Sequence, residues 1–435
     1  MSSKKTVNLA LLGCGTVGGG VIRLLSANAA HLASRVGAPL AIRKVLVRDL
    51  LKDRVPECER SWLTTNPDDV LNNPNIDIIV EVMGGELPAY DYIRRAIDAG
   101  RGVVTANKML LAAHAHDLVK RAVERNIDLA FEASVGGGIP IIRVLREALA
   151  SDAVESLYGI VNGTSNYILT RMREDGLVFS TALAEAQAKG YAEADPTLDI
   201  DGHDAAHKMS VLAMLAFGVK VEHGKIPTEG IRSIEPIDHR FADRFDLVIK
   251  HLAIGKDHGS RLELRVHPTL VRKSSVLANV SGVLNAIYLE GRALGPCLIS
   301  GRGAGDMPTA VSVVADIVDV ARAQLAGAAG LSTRGISLEE KALVPLGEIE
   351  TRYYLRFTGQ DRPGVLARVA GALGEHGVSI EQMVQDGRSV APSEPVPIVM
   401  ITHRAREAGV VAAIKAIGAS DFVTAKTRVL RIEEV

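Results

Sequence analysis

Along the first third of the chain, apolar positions fall into short unbroken runs separated by stretches in which they recur every three to four residues. Val7 to Leu12 is a run of strand length, and Val21, Ile22, Leu24 and Leu25 after it keep a helical spacing. Further strands are predicted at Ala41 to Val47, Ile76 to Val82, Gly102 to Thr105 and Ile127 to Ser134, with helices over Pro88 to Ala99 and Met109 to Arg125. Buried strands alternating with amphipathic helices predict an α/β fold, a doubly wound parallel sheet, because each crossover returns the chain to the same end of the sheet. Another helical pattern, Gly202 to Phe217, puts Met209, Leu212 and Leu215 on its core face, and one more runs from Thr309 to Leu325. A weakly patterned linker, Leu331 to Glu350, precedes a change of order. Strand Arg352 to Thr358, helix Val365 to Glu375, strands Val378 to Gln385 and Val396 to Thr402, a helix around Ala408 to Ile417 and strand Thr427 to Ile432 make β-α-β-β-α-β, the ferredoxin-like plan.

The turn from the first strand into the first helix reads Gly13-Cys14-Gly15-Thr16-Val17-Gly18. In a chain with 41 glycines a GxGxxG triplet means little alone; it gains meaning from the strand before it and the helix after it. Gly13 and Gly15 permit the tight turn and the approach of a pyrophosphate, Thr16 and Val17 open the helix N-terminus, and Gly18 lets the helix pack close. These five residues are the candidate site for NADP or NAD. Arg48 and then Asp49 follow the second strand; an arginine there suits the 2′-phosphate of NADP, a carboxylate the ribose of NAD. NADP is favoured, NAD stays open, and Arg48 as a merely solvated charge is the bland alternative. Gly301 to Gly305 is a second glycine-rich turn, expected to return the chain to the cofactor domain with Gly305 near the nicotinamide.

Composition narrows the chemistry. At 435 residues the chain is long enough for about three domains, and its 50 basic residues against 51 acidic ones leave no footprint for nucleic acid or an anionic membrane. No apolar run approaches the roughly 20 residues of a membrane span. Cys14, Cys58 and Cys297 are far apart in sequence and make neither a disulfide framework nor a CxxC zinc pattern, which implies a reducing, cytoplasmic setting. Lys4 and Lys5 before Val7 to Leu12 and Cys14 imitate a lipoprotein signal. The apolar run is too short, contains Asn8, and cleavage there would sever the glycine turn.

Carboxylates crowd the stretch Gly190 to Pro196 and continue through Asp199, Asp201 and Asp204. Asp204 and Lys208 share a helix face, so a carboxylate and an amine project together; an ordinary i,i+4 ion pair would look the same. His203 and His207 form a rival metal pattern, made unnecessary by a neighbouring dinucleotide fold that supplies redox chemistry. No Tyr-x-x-x-Lys occurs and no cysteine pair could hold catalytic zinc, so the acid or base is expected to be a lysine. In reduction a protonated lysine donates to the aldehyde oxygen. In oxidation it must be neutral although Asp204 raises its pKa, and Lys108, burial or a relaying water are the open remedies.

Six ordered segments resemble homoserine dehydrogenases: Thr105-Ala106-Asn107-Lys108, Phe131 to Pro140, Asn162-Gly163-Thr164-Ser165-Asn166, Gly190 to Pro196, Asp204 to Lys208, and Gly301 to Ala310. The resemblance covers essentially the whole chain. It implies interconversion of L-homoserine and L-aspartate 4-semialdehyde with NAD(P)(H), in threonine, methionine and isoleucine biosynthesis. By the same resemblance Lys208 and Lys108 are the catalytic lysines, Glu193 and Asp204 bind substrate together with Asp199, and Thr105 and Lys108 border the cofactor. Glu132 with the backbone oxygens of Val135, Gly137 and Ile139 is the implied site of a monovalent cation such as sodium. The domains expected are a Rossmann domain over 1–134 and 305–330 and an α+β catalytic and dimerisation domain over 135–304, in a homodimer or homotetramer. Asp361 to Leu366 and Glu375 to Ile380 resemble the ACT domain, an amino-acid-sensing module spanning 350–435, with Asp361, Gly364, Gly377 and Ile380 as regulatory residues and threonine as effector. A tail that only aids assembly is the alternative, as is a sensor without chemistry for the whole chain. Ending the chain after about Leu346 is expected to leave a folded, active enzyme.

Overall fold

In the computed structural model, which describes residues 6–333, 336, 338–385 and 395–435, the amino-terminal alternation becomes one parallel sheet. Its elements are β1 (Val7–Leu12), α1 (Thr16–Ala27), α2 (Ala29–Val36), β2 (Leu40–Leu46), β3 (Leu63–Thr64), α3 (Asp68–Leu71), β4 (Ile78–Glu81), α4 (Ala89–Asp98), β5 (Gly102–Thr105), α5 (Lys108–Arg125) and β6 (Leu129–Ala130). Strands run in the order β3-β2-β1-β4-β5-β6, every neighbouring pair parallel. The doubly wound expectation holds. Strand order reverses between β1 and β4, so the carboxyl ends of those strands open a crevice. The first crossover contains an additional helix, α2, which accounts for the long spacing between the glycines and Arg48. The strand expected over Ile127 to Ser134 shrinks to Leu129–Ala130, followed by a 3-10 turn, Glu132–Ser134. There the Glu132 N–H donates to the buried Asp316 carboxylate at 2.8 Å, a partner off the sheet. Lys4 and Lys5 lie outside the described residues.

The chain divides into two compact units: residues up to Leu157 with Asp204–Lys225 and Leu284–Lys341, and Tyr158–His203 with Ile226–Val283 and Ala342–Val435. In the first, the helix Asp306–Leu325 lies on α1, where a side chain at Gly20 would meet the Asp306 carbonyl oxygen at 3.0 Å. Its Ala310, Val313, Ile317 and Val320 share a core with Val21, Ile22 and the β1 side chains.

In the second unit six strands lie side by side in the order Ile380–Gln385, Pro395–Thr402, Glu350–Gln360, Val423–Glu433, Arg261–Arg272 and Leu247–Asp257. The first four are the ferredoxin-like tail, mutually antiparallel. Helices Val365–Glu375 and Glu407–Gly418 cover one face over Tyr353, Leu355, Phe357 and Met400. Alternate residues of the same strands, Tyr354, Val399, Ile401, Leu430 and Ile432, turn to the other face and pack with Ile168, Phe241, Ile249 and Leu270. The tail sheet does not stop at its own edge. Val423–Glu433 pairs in parallel with Arg261–Arg272, setting Arg431 opposite Thr269. Arg265, 1% exposed, lies between Glu263 at 2.9 Å and Glu433 at 2.5 Å. Arg431 binds both Glu407 oxygens, at 2.8 and 2.5 Å. Among the described residues no helix is long and apolar enough to cross a membrane.

His239, on the helix Pro236–Arg244, is buried with its Nε2 lacking a hydrogen-bond partner among the described residues. Burial, helped by Arg173 and Lys250 against the opposing Asp238, lowers its pKa from 6.5 to about 4. As the pH falls below 6.5 the unfolded chain takes up a proton that the folded chain refuses until about 4, so stability is lost across that window. The full loss is about 3 kcal/mol. Urea midpoints are expected to fall between roughly pH 7 and pH 4.5, and His239→Phe to flatten the decline; an equally steep profile in the variant would assign the loss to other groups.

Candidate active site

Gly13, Cys14 and Gly15 carry the chain from β1 into α1. Gly13 has φ +104°, and a side chain there would meet the Val82 carbonyl oxygen at 2.9 Å; one at Gly18 would lie 2.5 Å from the Gly13 oxygen. At Gly15 nothing among the described residues comes within 4 Å. Gly13 and Gly18 are thus required by the protein's own packing, whereas Gly15 faces space that a ligand can enter. Beside it opens a cleft of about 490 Å³, lined by Arg48, Asp49, Lys52, Arg54 and the glycine turn. No acidic side chain occupies the first turn of α1, so nothing there opposes an anion at the helix N-terminus. Arg48 is exposed on the rim, while the Arg54 guanidinium donates to the carbonyls of Lys52 at 2.5 Å and Asp49 at 2.6 Å. Open backbone for a pyrophosphate beside a basic pocket for the ribose end fits a dinucleotide. Gly305, φ +123°, caps the helix Asp306–Leu325, and Arg23 of α1 pairs with Asp306 at 3.1 Å.

A second constellation lies at the start of α5. Glu81, at the end of β4, is fully buried; its carboxylate accepts from the Thr105 hydroxyl at 2.6 Å and from the N–H of Met83 at 2.8 Å. Burial pushes the Glu81 carboxyl up, against those hydrogen bonds. Thr105 Oγ1 accepts from the Asn107 N–H at 3.1 Å, and Asn107 caps α5 through Leu110 N–H while donating to the Gly85 carbonyl at 2.6 Å. This chain fixes the first helical residue, Lys108. The Lys108 ammonium pairs with one oxygen of Asp204, and Lys208 donates to the other at 2.7 Å. Asp204 is 3% exposed and Lys208 8%. Burial alone would raise the Asp204 carboxyl, but the charges of Lys208 and Lys108 outweigh it and hold it well below the usual carboxylate range. One ionised carboxylate therefore serves two amines from different helices. Glu81 escaped the sequence reading; its signal was a lone carboxylate ending the apolar run Ile78 to Val80.

Residues 13–132 match the NAD-binding domain of homoserine dehydrogenase, residues 140–318 the homoserine dehydrogenase family, and residues 353–419 the ACT domain. A homoserine dehydrogenase of Pseudomonas aeruginosa is 41% identical over 99% of this chain and 100% of its own length. The chain belongs to the homoserine dehydrogenase family. Homoserine dehydrogenases are NAD(P)-dependent oxidoreductases, and the solved structures agree on the fold. The homoserine dehydrogenase of Thiobacillus denitrificans is 42% identical with a TM-score of 0.93, covering 99% of both chains. A hyperthermophilic archaeal homoserine dehydrogenase in complex with NADPH is 26% identical with a TM-score of 0.62, covering 73% of this chain and 98% of its own.

Asp199 and Glu193 belong to the second unit, whereas Lys108, Asp204 and Lys208 belong to the first. Asp199 accepts from Asn162 at 2.7 Å, and Glu193 is exposed. The ring of His207 packs edge-on against His223, centroids 4.4 Å apart. Among the described residues no group of three or more His, Cys, Asp or Glu side chains is placed to hold a metal. In the segment of Val135, Gly137 and Ile139, the Gly137 carbonyl accepts from Ser312 at 2.6 Å and the Ile139 carbonyl from the Ile141 N–H at 2.8 Å. The Glu132 carboxylate is engaged by the N–H groups of Ile142 at 2.8 Å and Arg143 at 2.9 Å. In the ACT domain a cavity of about 300 Å³ is lined by Gln360 to Leu366, Gln385 and Ile398, and so includes Asp361 and Gly364 but neither Gly377 nor Ile380.

Proposed function

We propose that the chain interconverts L-homoserine and L-aspartate 4-semialdehyde, and that the proton at the substrate oxygen is moved by Lys208, assisted by Lys108. The observation that carries this reading is Asp204 bridging the two amines. The nicotinamide cofactor supplies or accepts the hydride. In reduction the Lys208 ammonium stabilises the growing charge on the aldehyde oxygen and then protonates it. For oxidation the charge count matters. Both lysines protonated against one carboxylate leave a net positive charge, and release of one proton leaves a neutral set in which Asp204 is still paired. One amine can thus cycle without stranding a buried charge. Asp204, and by family pattern Glu193 and Asp199, serve the substrate ammonium. By family pattern, Glu132 with the main-chain oxygens of Val135, Gly137 and Ile139 is the site for a hard monovalent cation such as sodium. Three unbridged cysteines fit a reducing cytoplasm.

Steady-state assay of the purified protein with L-homoserine and either oxidised cofactor tests the reading, and no turnover with either would end it. NADP is the favoured cofactor, with the pyrophosphate over Gly15 and Thr16, the 2′-phosphate beside Arg48, and the nicotinamide toward Thr105 and Gly305. The NADPH complex of the archaeal relative supports this choice. Arg48→Ala is expected to weaken NADP by about 1 to 3 kcal/mol and leave NAD nearly unchanged. Equal losses for both cofactors would make Arg48 structural.

Threonine is the proposed effector, acting on a route from homoserine toward threonine, methionine and isoleucine. The cavity beside Asp361 and Gly364 supports a site for an amino acid. Saturating threonine is expected to change apparent homoserine affinity or rate by about 5- to 150-fold, the range of typical couplings. Asp361→Ala should abolish the response without altering the uninhibited rate; a response that survives it would place threonine in the active site.

A further inference from the structure

Glu81 is a buried carboxylate to which the proton transfer gives no part. It ends β4 and pairs with Thr105 at the end of β5, so two loops leave the sheet side by side. The first begins with Val82 and Met83, both of which line the dinucleotide cleft. The second leads through Asn107 into α5 and Lys108. The Glu81 side chain joins them: one oxygen accepts from the N–H groups of Met83 at 2.8 Å and Gly84 at 3.2 Å, the other from the Thr105 hydroxyl at 2.6 Å. The same Thr105 oxygen accepts from the Asn107 N–H at 3.1 Å, and the Asn107 amide crosses back to the Gly85 carbonyl at 2.6 Å. We propose that Glu81 is a positioning residue: its carboxylate holds the wall of the dinucleotide cleft and the first turn of α5 in one register, and so sets Lys108 relative to the bound cofactor. The proposal rests on the reading that Lys108 assists the proton transfer.

The donors around Glu81 specify a carboxylate. Met83, Gly84 and Thr105 present hydrogens to both oxygens, a demand met only by a group that accepts on both atoms. Burial pushes the carboxyl above its ordinary range, and these hydrogen bonds oppose it. A carboxamide of the same shape would turn its NH2 toward one side of the link. Facing Met83 and Gly84, it would set donor against donor and loosen the cleft wall. Facing Thr105, it would drive the hydroxyl proton elsewhere and leave one oxygen to serve two donors. A buried donor left without its acceptor is costly, so the segment that carries it shifts. Either displacement moves the start of α5 against the cleft. The Lys108 ammonium stays paired with Asp204, so the lysine keeps its partner and loses its alignment.

The test measures kcat at saturating cofactor, and cofactor affinity by NADPH or NADH fluorescence, for the full chain carrying Glu81→Gln, with and without Lys108→Ala. Glu81→Gln alone is expected to lower kcat by about 10- to 100-fold, up to the loss that a misplacement of roughly 1 Å brings, and to weaken cofactor binding. Added to Lys108→Ala it should lower kcat by less than about threefold, because residues that act as a unit are not additive. Thr105→Val, which cuts the link at its other end, should repeat the pattern, and Thr105→Ser, which restores the hydroxyl, should recover most of the loss. Equal fold-losses with and without Lys108 would overturn the proposal and leave Glu81 a structural support, as would a Glu81→Gln enzyme with wild-type kcat. If Glu81→Gln does not fold, Thr105→Val decides by the same comparison. Lys108→Ala at wild-type kcat would refute the role of Lys108 and the proposal with it, an outcome read before Glu81 is touched.

Discussion

Lys208→Ala is expected to lower kcat by about 10²- to 10⁴-fold, the usual worth of a positioned acid or base, while the cofactor still binds. The separation is expected because Lys208, on the helix His203–Phe217, is not among the residues lining the cleft at the glycine turn. Its removal also leaves Asp204 paired, since Lys108 still holds the other oxygen. The fold therefore survives and the loss reports chemistry. Lys208→Arg keeps the charge on a group that does not release a proton in the accessible pH range, so it should be nearly as inactive in homoserine oxidation. Lys108→Ala combined with Lys208→Ala should cost less than the product of the single losses, because the two amines act as one unit on one carboxylate. A Lys208→Ala enzyme keeping a tenth of the wild-type kcat would sink the assignment.

Ending the chain after Leu346 is expected to unfold the second unit rather than release an unregulated enzyme, the reverse of the sequence expectation. Truncation strips Glu433 from Arg265, and removing one partner of a buried ion pair costs about 3 to 5 kcal/mol. Asp238 would lose Arg356 and Tyr354, which reach it at 2.7 and 3.1 Å. Ile249, Leu270 and Phe241 would lose Tyr354, Val399, Leu430 and Ile432 from their shared core, at about 1.5 to 3 kcal/mol for each apolar side chain re-exposed. Against a total stability of about 5 to 15 kcal/mol these losses are decisive. Insoluble protein, or a soluble species with lost near-ultraviolet dichroism and no turnover, is the expected outcome. A truncated enzyme with wild-type activity would show that the tail strands are an independent addition.

The dinucleotide sheet was legible because its strands are largely apolar and its helices periodic. The paired strands Leu247–Asp257 and Arg261–Arg272 were not, and the reason is chemical. Lys250, Glu263, Arg265 and His267 are buried in them and break the apolar run that betrays a strand. Two of them are satisfied by partners remote in sequence, Lys250 donating to the Val280 carbonyl at 2.7 Å and Arg265 meeting Glu433, while Glu263 and His267 bond within their own hairpin to His258 and Arg265. The helix pair Asp204 and Lys208 could be read from spacing alone. That the carboxylate is shared with Lys108 could not, because the contact joins α5 to a helix far along the chain.

The interleaving of the two units has a consequence for how the protein is made. Each unit is assembled from three separated stretches, and strand Val423–Glu433 supplies the parallel neighbour of Arg261–Arg272. On the ribosome, the Thr269–Val271 part of the outer edge of Arg261–Arg272 would lack its partner until residues 431–433 have been synthesised, while Val266 already bridges Thr228. At about 5 to 20 residues per second, the roughly 150 residues that separate those stretches take on the order of ten seconds or more. During that interval the buried charges of Arg261–Arg272 lie beside an unpaired edge. Charged side chains on an edge are a known deterrent to edge-to-edge aggregation, so Glu263 and Arg265 guard the nascent chain before Arg265 meets Glu433.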